Sequence, residues 1–105
     1  MNNVIRKIID NGSGMTSIHD GKYILQVYSG AKQGNITRTN GTVLCRFYID
    51  EEIISFAFAK QNNPMEFGYE KYPISLEADT NAIRNIPHRD AEELYKVLII
   101  FAKNK

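Results

Sequence analysis

The chain predicts an α+β fold, an antiparallel β-meander of five or six strands with a short N-terminal helix and a C-terminal helix. Three observations carry that prediction. Apolar residues recur at helical spacing near both ends, Asp20-Gly21 and Asn40-Gly41 each sit between strand-like runs, and Ile53 to Ala59 is apolar almost throughout. Asp-Gly and Asn-Gly pairs tolerate the positive φ of a tight hairpin turn, so each marks a reversal between paired strands.

Val4, Ile5, Ile8 and Ile9 form one helical stripe, with Asn3 placed to cap its start and Asn11-Gly12 to end it. The Gly-Ser-Gly of residues 12–14 separates that helix from the sheet. Counting outward from a two-residue turn at Asp20-Gly21 groups Ile18, Tyr23, Leu25 and Val27 on one face, with Lys22, Ile24, Gln26 and Tyr28 on the other. Around Asn40-Gly41 the same count pairs Thr39 with Thr42, Arg38 with Val43, Ile36 with Cys45 and Asn35 with Arg46. It turns Ile36, Val43, Cys45, Phe47 and Ile49 inward, and Asn35, Thr37, Leu44, Arg46 and Tyr48 outward.

After a turn at Asp50-Glu51-Glu52, Ile53 to Ala59 reads as a strand covered on both faces or lying at an interface. Gln61 to Pro64 reads as a loop, and Phe67 to Leu76 as a last strand that Pro73, lacking an N–H, confines to an edge. The final helix is expected to begin near Pro87, with Asp90, Glu92 and Glu93 at the positive end of its dipole and Lys103 and Lys105 at the other. Its core stripe is Ala91, Leu94, Tyr95, Leu98 and Phe101/Ala102. That leaves Val97 on a flank and Ile100 nearly opposite Leu98, a candidate surface for a homodimer.

At 105 residues the chain predicts one domain, 1–105, with its own core. Its 43% hydrophobic and 24% charged residues and mean hydropathy of −0.35 fit a globular chain rather than a disordered or membrane one. The longest apolar run, Val97 to Ala102, is six residues, far short of the roughly 20 that a spanning helix needs. Cys45 is the lone cysteine, so no internal disulfide forms, and no apolar leader-like run follows the first residues. A reducing cytoplasm is the expected setting.

No catalytic, cofactor-binding or metal-binding motif emerges. His19, His88 and Cys45 are far apart and show no ligand spacing, and residues 12–14 lack the following Gly-Lys-Ser/Thr of a phosphate loop. The inward phase of Cys45 makes it a packing thiol rather than a nucleophile, and both histidines are expected at the surface. Asp50, Glu51, Glu52, Glu66 and Glu70 fall at turns and loops, where solvation accounts for them. The chain therefore reads as a non-enzyme without a cofactor.

Its chemistry concentrates elsewhere. Between Gly21 and Ile49 there is no acidic residue, while Lys22, Lys32, Arg38 and Arg46 share the stretch with Tyr23, Tyr28, Phe47 and Tyr48. Residues 1–50 hold six Lys/Arg against three Asp/Glu, a surplus of +3, whereas residues 51–105 hold seven against nine, −2. Lys22, Gln26, Tyr28, Lys32, Asn35, Arg38, Arg46 and Tyr48 make up the candidate binding face, since tyrosine in company with arginine is enriched at interfaces. A half-exposed sheet also alternates polar residues for solvation alone.

Two functions fit that face. The first is a small regulatory or inhibitor protein that binds a protein partner, of the kind represented by phage-encoded inhibitors of host systems or immunity proteins. Small size, richness in Asn, Ile and Lys, and a net charge of only +1 favour it. The second is single-stranded DNA or RNA binding, with bases stacked on Tyr28 and Tyr48 and phosphates on the cations. Gly21-Lys22-Tyr23 before a strand and Ile74-Ser75-Leu76 before a helical region are similar in outline to single-strand-binding modules of the transcriptional coactivator and Whirly type. That resemblance is one of architecture, and a shared fold does not carry a shared function.

Overall fold

Six strands follow one another across one sheet in chain order, each antiparallel to the last, in the computed structural model, which describes residues 4–11, 16–19, 23–27, 32–60 and 68–103. The elements are α1 (Ile5–Asn11), β1 (Thr16–His19), β2 (Tyr23–Val27), β3 (Gln33–Arg38), β4 (Val43–Asp50), β5 (Ile53–Ala59), β6 (Tyr69–Ser75), a 3₁₀ turn (Thr80–Asn85) and α2 (Ala91–Lys103). This is the α+β meander that the patterning predicts.

One sheet face builds the core. Leu25, Val27, Ile36, Cys45, Phe47, Ile54, Phe56 and Phe58 are buried there together with Ile5, Ile8 and Ile9 of α1 and Leu94, Val97, Leu98 and Phe101 of α2. Both helices therefore pack on this side, and each large side chain withdrawn from water stabilises the fold by roughly 1.5–3 kcal/mol. The first turn of α1 is satisfied by distant backbone, Ile5 N donating to Ala78 O (3.0 Å) and Arg6 N to Leu76 O (2.8 Å). The expected caps Asn3 and Gly12 lie outside the described residues. Pro73 sits opposite Ser55 on the edge strand β6, where no further strand needs an N–H from it.

Both Gly-containing hairpins depart from the two-residue count. In the first, His19 pairs with Tyr23 and Ile18 with Ile24, so three residues connect the strands, and Ile18 does not share a phase with Tyr23. In the second, Arg38 N donates to Thr42 O (2.8 Å) and Gly41 N to Arg38 O (3.0 Å), with Gly41 at a φ of 96°. Asn40 Oδ1 holds this loop by accepting from both Thr42 N (3.0 Å) and Thr42 Oγ1 (2.7 Å).

A three-residue loop closed by a left-handed glycine shifts the pairing, so Thr37, not Arg38, faces Val43. A bulge then inserts Leu44 and restores Ile36 opposite Cys45 and Asn35 opposite Arg46. Consequently Leu44 and Cys45 are both buried and Val43 is 41% exposed, the reverse of the phase expected for Val43 and Leu44.

The C-terminal region also corrects the expectation. α2 begins at Ala91 rather than near Pro87, because a 3₁₀ turn capped by Asp79 (accepting from Asn81 N, 2.9 Å) precedes it. His88 is not a surface residue. Its ring stacks on Phe58 (centroids 4.6 Å) and stands edge-on to Tyr72 (6.3 Å). Asp90 N donates to Nδ1 (3.0 Å), which leaves Nε2–H to donate to the Ala59 carbonyl (2.9 Å). Val97 is buried in the core, so it drops out of the candidate dimer surface, while Ile100 is half-buried. A helical wheel with one contact direction puts Val97 on a flank, whereas α2 shares the core with the sheet and also packs against α1 and the 3₁₀ turn.

Candidate functional site: the outer sheet face

The face of the sheet turned away from the helices carries two transverse rows of side chains. Register places Gln26, Asn35, Arg46, Ala57 and Lys71 side by side across β2 to β6. The adjacent row runs Gln33, Tyr48, Ser55, Pro73. Ala57 is fully buried although it lies on this side. Its cover comes from its neighbours: the Arg46 guanidinium lies 5.3 Å from the Tyr69 ring centre and Lys71 Nζ 4.9 Å from the Tyr48 ring centre. The two cations reach across β5 in opposite directions over the small Ala57 side chain. Such contacts contribute about 0.5–1 kcal/mol at exposed sites.

This explains why Ile53 to Ala59 reads as apolar on both faces. Phe56 and Phe58 face the helices, whereas Ala57 is buried on the other face, where register sets it between the long side chains of Arg46 and Lys71. Beside these residues lies a shallow depression of about 130 Å³ lined by Gln33, Gly34, Asn35, Arg46 and Tyr48. Thr37 Oγ1 donates to Asn35 Oδ1 (3.1 Å), which orients the Asn35 amide at its rim.

The fold separates charge in a way that composition hides. Among the described outward positions of β2 to β6, Asp50 is the only carboxylate, and it lies at the end of β4. On the helix side, Glu93 accepts from Arg38 Nη2 (2.7 Å), Arg38 Nε (2.9 Å) and the Tyr23 hydroxyl (2.8 Å). The Arg38 guanidinium holds the Glu93 carboxyl below the ordinary carboxylate range, and burial together with the bond to Glu93 pushes the Tyr23 phenol up. Glu52 and Glu77 are taken by Arg6, and Glu92 by Arg84.

Of the candidate residues, Gln26, Asn35, Arg46 and Tyr48 come together on the outer face. Lys32 is exposed just ahead of β3, its carbonyl accepting from Ile49 N (2.7 Å). Lys22 and Tyr28 lie outside the described residues. Arg38 is on the opposite side of the sheet, since alternation along β3 points it with Ile36 toward α2, where Glu93 holds it as a fork. Tyr69 and Lys71 belong to the face but were missed by sequence reasoning. Their alternation with Pro73 was the available signal, and only the register with Ala57 brings them beside Arg46 and Tyr48.

No protein-family model, curated protein or solved structure matches the chain. The outline resemblance to Whirly-type modules therefore gains no structural counterpart. Among the described residues, no three His, Cys, Asp or Glu side chains are grouped to hold a metal ion, and no helix is long and apolar enough to cross a membrane. Cys45 is fully buried and burial pushes its thiol up, which disfavours the thiolate.

Proposed function

We propose that this chain is a non-enzymatic regulatory or inhibitor module, of the phage-inhibitor or immunity-protein kind and acting in the cytoplasm, that docks a protein partner on its outer sheet face. The observation supporting this reading is the set Arg46, Tyr48, Tyr69 and Lys71 on a face that no described helix covers. Arginine and tyrosine bury large area with few lost rotamers, which is why they recur as interface anchors. Base stacking fits this face less well, because each tyrosine ring already carries a cation over one side.

The test is capture from native lysate on immobilised wild-type protein and on Arg46→Ala/Tyr48→Ala, with and without nuclease. A protein band that survives nuclease and is lost with the double variant is expected. The variant loses both cation–π contacts, about 1–2 kcal/mol, so it should remain folded while melting about 4–16 °C below wild type. Undiminished capture by the variant, or recovery of nucleic acid alone, overturns the reading.

A further inference from the structure

Five described cations with defined contacts divide by what they touch. Arg6, Arg38 and Arg84 each contact a carboxylate of the same chain at 2.6–3.3 Å. Arg46 and Lys71 form no ion pair with a carboxylate among the described residues, and both rest on tyrosine rings instead. Among the described residues no carboxylate is paired with either charge on the face that the described helices leave uncovered, where Asp50 at the end of β4 is the only acidic strand position. Beside them the depression is lined by Gln33, Asn35, Arg46 and Tyr48, side chains that each carry a group able to donate a hydrogen bond.

We infer that the partner presents an acidic protein segment, whose carboxylates are received by Arg46 and Lys71 and by the depression between β3 and β4. This inference rests on the docking reading above and adds the chemistry of the occupant. Guanidinium and carboxylate match as a planar fork, and the side-chain amides beside Arg46 add donors in the same place. A cation–π contact is weak enough to be exchanged for a carboxylate, so Arg46 and Lys71 are held in place before binding and are released to the partner.

A second copy of this chain fits less well, because Glu52, Glu77, Glu92 and Glu93 are already engaged by its own arginines and the longest exposed acidic stretch left among the described residues is Asp50-Glu51. A polynucleotide fits less well too. A net charge of +1 gives little long-range attraction, and stacking would require both cations to leave their rings.

The probe is a short poly-L-glutamate peptide, titrated at low salt into ¹⁵N-labelled protein and followed by amide and side-chain shifts. Shifts confined to Gln33, Asn35, Arg46, Tyr48 and Lys71 are expected, with affinity at least about tenfold weaker in Arg46→Glu/Lys71→Glu. Arg46→Gln/Lys71→Gln provides a milder variant whose spectrum verifies the fold and whose binding is also weakened. Absence of shifts, shifts centred on another face, or tighter binding of an oligothymidylate at the same residues overturns the inference. So does sedimentation of the free protein as a dimer that charge reversal dissociates. If polyglutamate is ignored while capture of a lysate protein still depends on Arg46 and Tyr48, the acidic chemistry falls and the docking face stands. If neither occurs, both fall.

Discussion

Replacing Gly34 by alanine should be among the most damaging single-methyl changes available to this protein. A Cβ at Gly34 would stand 2.4 Å from the Gln26 carbonyl oxygen and 2.5 Å from Phe47 Cζ, about 1 Å inside comfortable contact in both directions. Neither neighbour can give way. The Gln26 carbonyl belongs to the strand next to β3, and Phe47 is fully buried with its ring 6.3 Å from that of Phe56. Overpacking of this kind costs about 1–3 kcal/mol. Opening the β2–β3 ladder around Val27 and Gly34 adds about 1 kcal/mol for each hydrogen bond lost, so losing two brings the total to about 3–5 kcal/mol.

A chain of this length is expected to be stable by about 5–15 kcal/mol, so the loss is a large share of the whole. Urea unfolding followed by circular dichroism should show the midpoint falling by roughly 1–5 M with little change in slope. Gly41→Ala is the control. Nothing lies within 4 Å of its Cβ position, and only the φ of 96° opposes a side chain, at a cost of about 1–2 kcal/mol. A Gly34→Ala loss below about 1 kcal/mol, or one no larger than that of Gly41→Ala, would refute the packing argument.

Two further outcomes follow from the helix side of the sheet. Because Arg38 lowers the Glu93 carboxyl below its ordinary 4.5, that group contributes stability in full above its unfolded value, and the contribution is lost as pH falls through the lower folded value. Glu93→Gln should therefore be less stable than wild type near neutral pH and lose less on acidification. Paired urea titrations in which the gap does not narrow between about pH 7 and pH 3 would contradict this. Cys45 is buried and its thiol is pushed up by burial, so Ellman's reagent should leave the native protein unmodified and titrate one thiol in denaturant. Labelling of native protein faster than its unfolding rate would show that β4 is open to solvent.

How far the chain could be read depends on which interactions are local. Alternation in β4 correctly turns Cys45 and Phe47 in and Arg46 out, although the turn that anchored the count is wrong. The extra residue in the Thr39–Gly41 loop shifts the pairing by one, and the bulge at Leu44 shifts it back. Two departures cancel for Asn35 and Arg46 and do not cancel for Val43, which lies between them. A period-2 pattern constrains residues two apart but cannot report an inserted residue, since Val43, Leu44 and Cys45 are all apolar.

Residue chemistry and its period determined, without any coordinates, that two helices flank a meander, that Pro73 belongs to an edge, and that a stretch free of acid lies in its first half. These features rest on φ preferences, missing donors and near-neighbour spacing, each set within a few residues. Tertiary structure alone decided that Arg38 is taken by Glu93 some 55 positions away, that His88 enters the core, and that Lys71 and Tyr69 join Arg46 and Tyr48 over Ala57. Those contacts link segments with no shared local signal, so they exist only once the strands are paired and the helices have taken one side of the sheet.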